Sequence, residues 1–277
     1  MAPSKAAPTH FLCIPLVTAA SRPQLVQSLA TFRADVSSPL SFGVPEEAIR
    51  PVGTLHLTLG VFSFPKNEGL DRAIELLRSL RPREILVSIT PPTMPGAKVE
   101  QDKTVVAVTT EVAAAADDDK GKPVEATTPQ DGAPLTITLR GLESMQPPAK
   151  AAVLYSPPVD RLGTLQAFCE KLRAVFREAE LMTEESRPLL LHATIMNTIY
   201  VKGKDKKQQR KAGGGGGGKK WERLTVDARG ILDRYEDHVW MQDVALSSIA
   251  ICKMGAKKTE VDGVEDEAYE VEAEISF

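Results

Sequence analysis

Two histidines in this chain stand in matching sequence contexts. His56 lies in the run TLHLTLGVF at residues 54–62, and His192 lies in LLHATIMNTIY at residues 190–200. In each run an apolar residue precedes the histidine, another follows it, and a threonine stands two places on, at Thr58 and Thr194. The chain has four histidines in all. Half of them share this pattern, which indicates a repeated site.

Both runs have the alternation that is typical of a β-strand, in which successive side chains point to opposite faces. Thr54, His56 and Thr58 would share one face, while the intervening leucines fill the core. In the second run His192 and Thr194 would likewise share a face. We expect the two polar faces to line one cleft.

Two imidazoles across a cleft suit phosphodiester chemistry. One takes a proton from the attacking hydroxyl and the other protonates the leaving oxygen, and a pKa near 6.5 lets histidine do either. The hydroxyls of Thr58 and Thr194 can donate hydrogen bonds to the phosphate oxygens. This scheme uses no metal and no other cofactor. The alternative for a single histidine is a structural role in a sheet, which we expect for His10 and His238 because they lack the context.

Composition limits the class of protein. The chain has 277 residues, is 42% hydrophobic and 26% charged, and carries a net charge of −3, which predicts a soluble globular protein and argues against nucleic-acid binding through overall charge. The cysteines Cys13, Cys169 and Cys252 have neither disulfide-framework nor metal-ligand spacing, which favours a reducing compartment. No apolar run is long enough to span a bilayer, so no membrane association is expected.

Strand and helix patterns alternate along the chain. We predict strands at THFLCIPLV, EILVSIT, LTITLRGL, AAVLYSP, VALSSIAICKM and YEVEAEISF, besides the two histidine strands, and an acidic turn before the last of them. The segment FLCIPLVTAAS is interpreted as part of the first strand and not as a secretory signal. Helices are predicted at residues 22–35, at GLDRAIELLRSL, at about residues 160–179 and at ARGILDRY.

Two segments have the composition of flexible insertions. Residues 97–133 are rich in alanine, proline and charge, although TVVAVTTEV within them could form a strand. Residues 202–220 combine the basic run KGKDKKQQRK with six consecutive glycines. Three roles stay open for this second insertion: an arm that gathers a nucleic-acid backbone, a nuclear import signal, or a solvated loop without a role.

The paired motifs HLTL at residues 56–59 and HATI at 192–195 resemble the H-x-T/S-x signature of the two-histidine phosphoesterase superfamily, which includes RNA 2′,5′ ligase-like proteins and cyclic phosphodiesterases. Six segments extend the resemblance to the phosphoesterase domain of the nuclear A-kinase anchoring proteins, and especially to that of the KH-containing small subunit of the activating signal cointegrator 1 complex. They are THFLCIPL, LHLTLGVF, LTITLRGLESM, AAVLYSPP, RPLLLHATIMNTIY and VDARGILDRY.

The resemblance implies an α+β fold of two lobes, related by a pseudo-twofold axis, whose sheets line a central cleft. The expected unit is a single bilobal domain over residues 9–277. The resemblance also implies that His56 and His192 are catalytic and that Thr58 and Thr194 bind the substrate phosphate. No KH-like Gly-x-x-Gly turn between helices is visible, so neither a KH-dependent RNA contact nor membership of that complex is carried over.

The leading hypothesis is a metal-independent phosphoesterase that acts on RNA ends or small nucleotides, at a cyclic phosphate or a 2′,5′ linkage, in the nucleus or the cytoplasm. The alternative is a non-enzymatic subunit that holds a nucleotide or RNA end within a transcription-coactivator or alkylation-repair complex. The intact His-Thr pairs favour the enzyme, because binding alone does not require two proton-transfer groups. The sequence assigns neither the substrate, nor the acid and base, nor the oligomeric state.

Overall fold

The computed structural model describes residues 7–89, 134–183, 187–201 and 223–277. The strands in these ranges are β1 (His10–Pro15), β2 (His56–Phe62), β3 (Thr136–Arg140), β4 (Glu143–Ser144), β5 (Val153–Ser156), β6 (Pro158–Asp160), β7 (Ala193–Asn197), β8 (Val239–Ala245), β9 (Ser248–Lys253), β10 (Lys257–Val261), β11 (Val264–Ala268) and β12 (Val271–Ser276). The α-helices are α1 (Arg22–Ser37), α2 (Leu70–Ser79), α3 (Pro82–Val87), α4 (Leu165–Glu178) and α5 (Arg229–Arg234).

The strands form antiparallel sheets in which both histidine strands occupy an edge. One sheet has the order β12-β9-β1-β2 and another the order β4-β5-β7, while β6-β3-β8 and the hairpin β10-β11 complete the set. Within the described residues, β2 and β7 therefore each have one edge that pairs with no other strand and makes only an isolated bridge, Phe62 with Met182 in β2 and Ile49 with Met196 in β7. The Cα atoms of these two edge strands approach within 8 Å. Segregated helices and antiparallel sheets confirm the α+β class.

The core is built from the apolar faces of helices and strands, and the sequence pattern already distinguishes these faces from the polar ones. In α1 the buried residues are Leu25, Leu29, Phe32 and Val36, at helical spacing. Trp240 of β8 is fully buried against Phe32, and its indole N–H donates to the Gly141 carbonyl at 2.8 Å. In β2 the alternate residues Leu57 and Leu59 are buried while the polar residues between them stay partly exposed. This burial fixes which face of β2 carries chemistry.

The segment just before β2 connects the two histidine strands. Ile49 forms an isolated antiparallel bridge with Met196 of β7, and the backbone N–H of Arg50 donates to the Ile195 carbonyl at 2.9 Å. These two residues cover part of the free edge of β7. The chain then passes through a 3₁₀ turn, Val52–Thr54, and enters β2. We call this pairing of Ile49 and Arg50 with β7 the inter-sheet contact.

A carboxylate fastens the β10-β11 hairpin to the same segment. Asp266 of β11 accepts from Arg22 Nη2 at 2.6 Å and from the Gly53 backbone N–H at 3.0 Å. A side chain at Gly53 would collide with the Glu267 backbone carbonyl. The hairpin thus packs directly on the turn that leads into β2, and Tyr269 follows its end.

Several predicted elements differ from the structure. EILVSIT is wrong as a strand, because α3 takes up residues 82–87: proline suits the first helical position, and a short apolar run does not distinguish a helix from a strand. The acidic turn is wrong as well, since the hairpin β10-β11 occupies that region. VALSSIAICKM divides between β8 and β9. Residues 97–133, including TVVAVTTEV, and residues 202–220 lie outside the described residues.

Cys13 and Cys252 are far apart in the sequence, but neighbouring strands bring them together. Their buried sulfur atoms lie 3.8 Å apart and form a weak hydrogen bond. That bond and burial raise the pKa of the Cys13 thiol well above its ordinary value. Both cysteines are free thiols.

Replacing Gly53 by Ala tests the packing of the hairpin on the turn. The new methyl group meets backbone, which cannot rotate away, so we expect the free energy of unfolding to fall by about 1–3 kcal/mol. Gly60→Ala is the matched control, because the obstacle there is the flexible thioether of Met182. Urea unfolding of the three proteins measures the difference. Equal losses at the two positions would contradict the packing described here.

Candidate active site

His56 is the first residue of β2, and its ring orientation is fixed by two hydrogen bonds. Nδ1 lies 2.8 Å from the Thr54 carbonyl oxygen, and Nε2 lies 3.0 Å from the Thr58 hydroxyl. Because a carbonyl only accepts, Nδ1 must carry the proton. The lone pair of Nε2 then accepts from Thr58. Thr54 itself lies in the 3₁₀ turn and donates its hydroxyl to the Pro51 carbonyl at 2.7 Å, so it is not part of the polar face of the strand.

Aromatic side chains enclose His56. The ring of Phe11 lies 4.8 Å from its centroid, and the ring of Tyr269 meets it edge-on at 5.3 Å. Desolvation by burial and, to a smaller extent, the charges of His192 and Arg50 lower the pKa of His56 to about 4, against the opposing effect of the bond to the Thr54 carbonyl. His56 is therefore neutral at pH 7.

His192 stands one residue before β7 and repeats the arrangement of His56. Its Nδ1 lies 2.8 Å from the Leu190 carbonyl oxygen, so this nitrogen also carries the proton when the ring is neutral. The ring meets Tyr155 nearly edge-on at 5.5 Å. Tyr155 donates its hydroxyl to Glu143 at 2.5 Å, and burial together with that contact raises the pKa of Tyr155 to about 12. Tyr155 thus stays protonated and fixed in place.

The structure brings the predicted site residues together. The charge of His192 acts on His56, and the strands that carry them meet at their edges. Thr58 contacts His56, and Thr194 is partly exposed two residues after His192. In both histidines the Nδ1 atom is bonded to the carbonyl two residues earlier, so Nε2 is the nitrogen that can face a substrate; in His56 this atom accepts from the Thr58 hydroxyl. The catalytic roles of the four residues stay predictions.

The other two histidines have structural surroundings. His10 is 1% exposed, and its Nδ1 lies 2.9 Å from the Thr9 hydroxyl. His238 packs edge-on against Trp240, with ring centroids 4.6 Å apart. Neither ring is partnered with the paired histidines. Packing thus accounts for both positions.

Sequence reasoning missed three residues beside His56. Arg50 is 4% exposed, and its guanidinium carbon lies 3.7 Å from the centroid of the Tyr200 ring. Tyr269 packs on His56, and burial raises the pKa of its phenol to about 12, although the charge of Arg50 opposes the rise. Arg50 and Tyr200 lie only a few residues from the two motifs, which is a weak signal. Nothing in the spacing points to Tyr269.

A cavity of about 540 Å³ borders the turn that precedes β2. It is lined by residues of α1 and of the β10-β11 hairpin and by Arg50, Pro51 and Val52, and neither paired histidine lines it. In the part of the chain that the structure describes, no cluster of three or more His, Cys, Asp or Glu side chains is arranged to hold a metal ion. No helix within the same ranges is both long and apolar enough to cross a bilayer.

The lowered pKa of His56 predicts a pH-dependent stability. Between pH 6.5 and about pH 4 the unfolded chain binds a proton at His56 and the folded chain does not, so stability falls as the pH falls through this window. From pH 7 to pH 5 the loss from this group is about 2 kcal/mol. Urea unfolding at both pH values should show a smaller loss for His56→Gln. An unchanged loss in that variant would assign the dependence to other groups.

Comparisons with known proteins identify the family of this chain. The family model of the AKAP7 2′5′ RNA ligase-like domain matches residues 8–277. An uncharacterized protein of Schizosaccharomyces pombe is 28% identical over 123 residues, which is 44% of this chain and 50% of that protein. The chain thus spans about half the length of this curated relative.

Solved structures match at low similarity. LigT of Escherichia coli, complexed with 3′-AMP, is 13% identical, with 97% of both chains covered and a TM-score of 0.44. Usb1 of Kluyveromyces marxianus is 9% identical, with 94% of this chain and 97% of that chain covered and a TM-score of 0.34. The match of the family model over nearly the whole chain decides the assignment: the chain belongs to the AKAP7 2′5′ RNA ligase-like domain family.

Proposed function

We propose that this protein is a metal-independent phosphodiester hydrolase that acts on RNA ends or small nucleotides, at a 2′,3′-cyclic phosphate or a 2′,5′ linkage. One observation carries the proposal. Each paired histidine donates from Nδ1 to the backbone carbonyl two residues earlier, so Nε2 is the reactive nitrogen of each ring once Thr58 releases that of His56. Strands β2 and β7, which begin at His56 and one residue after His192, meet at their edges. Such a pair of rings can take a proton on one side of a phosphate and deliver one on the other. The family assignment supports the same reaction class.

The surroundings of the two rings suggest which histidine is the base. His56 is enclosed by Phe11 and Tyr269, and its lowered pKa keeps it neutral, with the Nε2 lone pair free to accept a proton once Thr58 turns to the substrate. We assign His56 as the general base and His192 as the general acid. The negative charge of a bound phosphate raises the pKa of His56, which strengthens the base.

For a 2′,3′-cyclic phosphate the reaction then proceeds in one displacement. Nε2 of His56 removes a proton from water as the water oxygen bonds to phosphorus. The bond from phosphorus to one ribose oxygen breaks, and that oxygen receives a proton from Nε2 of His192. The hydroxyls of Thr58 and Thr194 donate to the non-bridging oxygens as their charge increases. The product is a nucleoside monophosphate, and the two histidines end in exchanged protonation states that solvent restores.

The reaction is tested by replacing each histidine with alanine. His56→Ala and His192→Ala should each lower kcat by about 10² to 10⁴, the usual contribution of a general base or acid. Thr58→Val and Thr194→Val should lower it less, because each removes one hydrogen bond. Hydrolysis of nucleoside 2′,3′-cyclic phosphates and short 2′,5′-linked oligonucleotides, with EDTA present, provides the assay. His238→Ala is the matched control and should retain wild-type turnover.

Two outcomes would contradict the proposal. Full turnover in the variant that lacks both paired histidines would assign the chemistry to other residues. Tight nucleotide binding by the wild type without turnover of any substrate would favour a non-enzymatic subunit that uses the same site.

The assignment of the base makes a separate prediction for pH. His56 must be neutral to act, so kcat/KM should fall at low pH only as the pH passes below about 4, the pKa of His56 in the free protein. Phe11→Ala opens the enclosure of His56, and the acid limb should then move toward the ordinary value of 6.5. Initial rates at low substrate concentration across the pH range measure the limb. An acid limb that stays in place in Phe11→Ala would argue against His56 as the base.

A further inference from the structure

Arg50 is a buried cation without an anionic partner in the part of the chain that the structure describes. Its side chain is 4% exposed, and its Nη2 amino group is buried with no hydrogen-bond partner there. Among the described residues no carboxylate lies within ion-pair distance of it. Two exposed arginines are paired, in contrast: Arg229 with Asp227 and Arg234 with Asp35, each at 2.6 Å. Arg50 is more buried than either of these and needs a counter-charge more.

The absence of a partner is costly, because a buried charge loses its hydration and is normally paired. The contact with Tyr200 and a hydrogen bond with the Tyr269 side chain compensate only part of this loss. A guanidinium presents several N–H donors in a fixed plane that matches a phosphate, so the remaining donor, Nη2, can bind an anion. The chemistry of the neighbouring histidines indicates which anion to expect.

The position of Arg50 is fixed relative to the site. Its backbone N–H is bonded to the Ile195 carbonyl, the residue after Thr194, and its charge acts on both Tyr269 and His56. Tyr269 packs directly on His56. The guanidinium thus lies close enough to His56 for its charge to act there, and Tyr269 interacts with both groups.

We propose that Arg50 binds a second phosphate group of the substrate, adjacent along the nucleotide to the phosphate held by the paired histidines. The inference rests on the proposed function and narrows its substrate class to nucleotides or RNA ends that carry two phosphates. Tyr200 is 41% exposed and covers the guanidinium at the end of a single 3₁₀ turn, so its ring moves aside when the phosphate reaches Nη2.

Calorimetric titration of the full chain tests this subsite without requiring turnover. The probes are adenosine 3′-monophosphate and adenosine 3′,5′-bisphosphate at one salt concentration. The bisphosphate should bind the wild type roughly 10- to 100-fold more tightly, as expected for a charge-assisted hydrogen bond. Arg50→Gln should reduce this ratio to about one, while the monophosphate affinity changes by less than about threefold. Arg229→Gln is the matched control, because it removes an exposed arginine, and should keep the wild-type ratio.

Each other outcome also decides the question. Equal affinity of the wild type for the two nucleotides would overturn the subsite and leave the proposed hydrolase standing. A parallel loss of both affinities in Arg50→Gln would assign Arg50 to the phosphate between the histidines or to folding. If Arg50→Gln does not fold, Arg50→Lys takes its place, because lysine keeps a point charge without the planar donors. A lower ratio then supports the subsite and an unchanged ratio overturns it. Absence of binding of either nucleotide would overturn both proposals.

Discussion

The inter-sheet contact determines the geometry of the site. Ile49 and Arg50 pair with Ile195 and Met196 of β7, and the chain reaches His56 one 3₁₀ turn later. A backbone hydrogen bond of this kind fixes distance and direction together. The position of the strand that carries His56 is consequently fixed relative to the strand that follows His192. The two halves of the site are brought together by main-chain atoms and do not depend on side-chain packing alone.

The repeated motifs give two chemically identical pairs, and the surrounding residues make them different. Both rings use the same bond to a backbone carbonyl, which fixes the tautomer in each. His56 is enclosed by two aromatic rings, whereas His192 contacts Tyr155, a residue held by Glu143. Two identical imidazoles can favour different protonation states when their environments differ. The asymmetry comes from residues that lie outside the motifs.

The sequence predicted those elements in which one face differs chemically from the other. β2 and α1 were recognised because buried leucines alternate with polar residues at strand or helix spacing. β10 and β11 could not be predicted, because both are largely charged and exposed and have no apolar face that shows the period of a strand. In α3 the few apolar residues fit the period of a helix and that of a strand equally well, and the proline at its start is the better indication of a helix.

The site residues differ in the same way: some could be predicted from local patterns and others could not. His56 and His192 could be found because their local patterns match, and local patterns are what a single sequence contains. Tyr269 comes from the other end of the chain and reaches His56 only through the β10-β11 hairpin, which Asp266 fastens to Gly53. The neighbouring sulfur atoms of Cys13 and Cys252 have the same origin. Contacts between distant segments depend on topology, which the motifs do not encode.

The meeting of two sheet edges has a mechanical consequence. β2 and β7 belong to different sheets, and within the described ranges no ladder of hydrogen bonds joins them beyond the short contact made by Ile49 and Arg50. A rotation of one sheet by a few degrees about that contact would change the separation of the two imidazoles without breaking the hydrogen bonds within either sheet. The angle between the sheets is thus an adjustable coordinate, through which substitutions far from the histidines can change the spacing of the two rings.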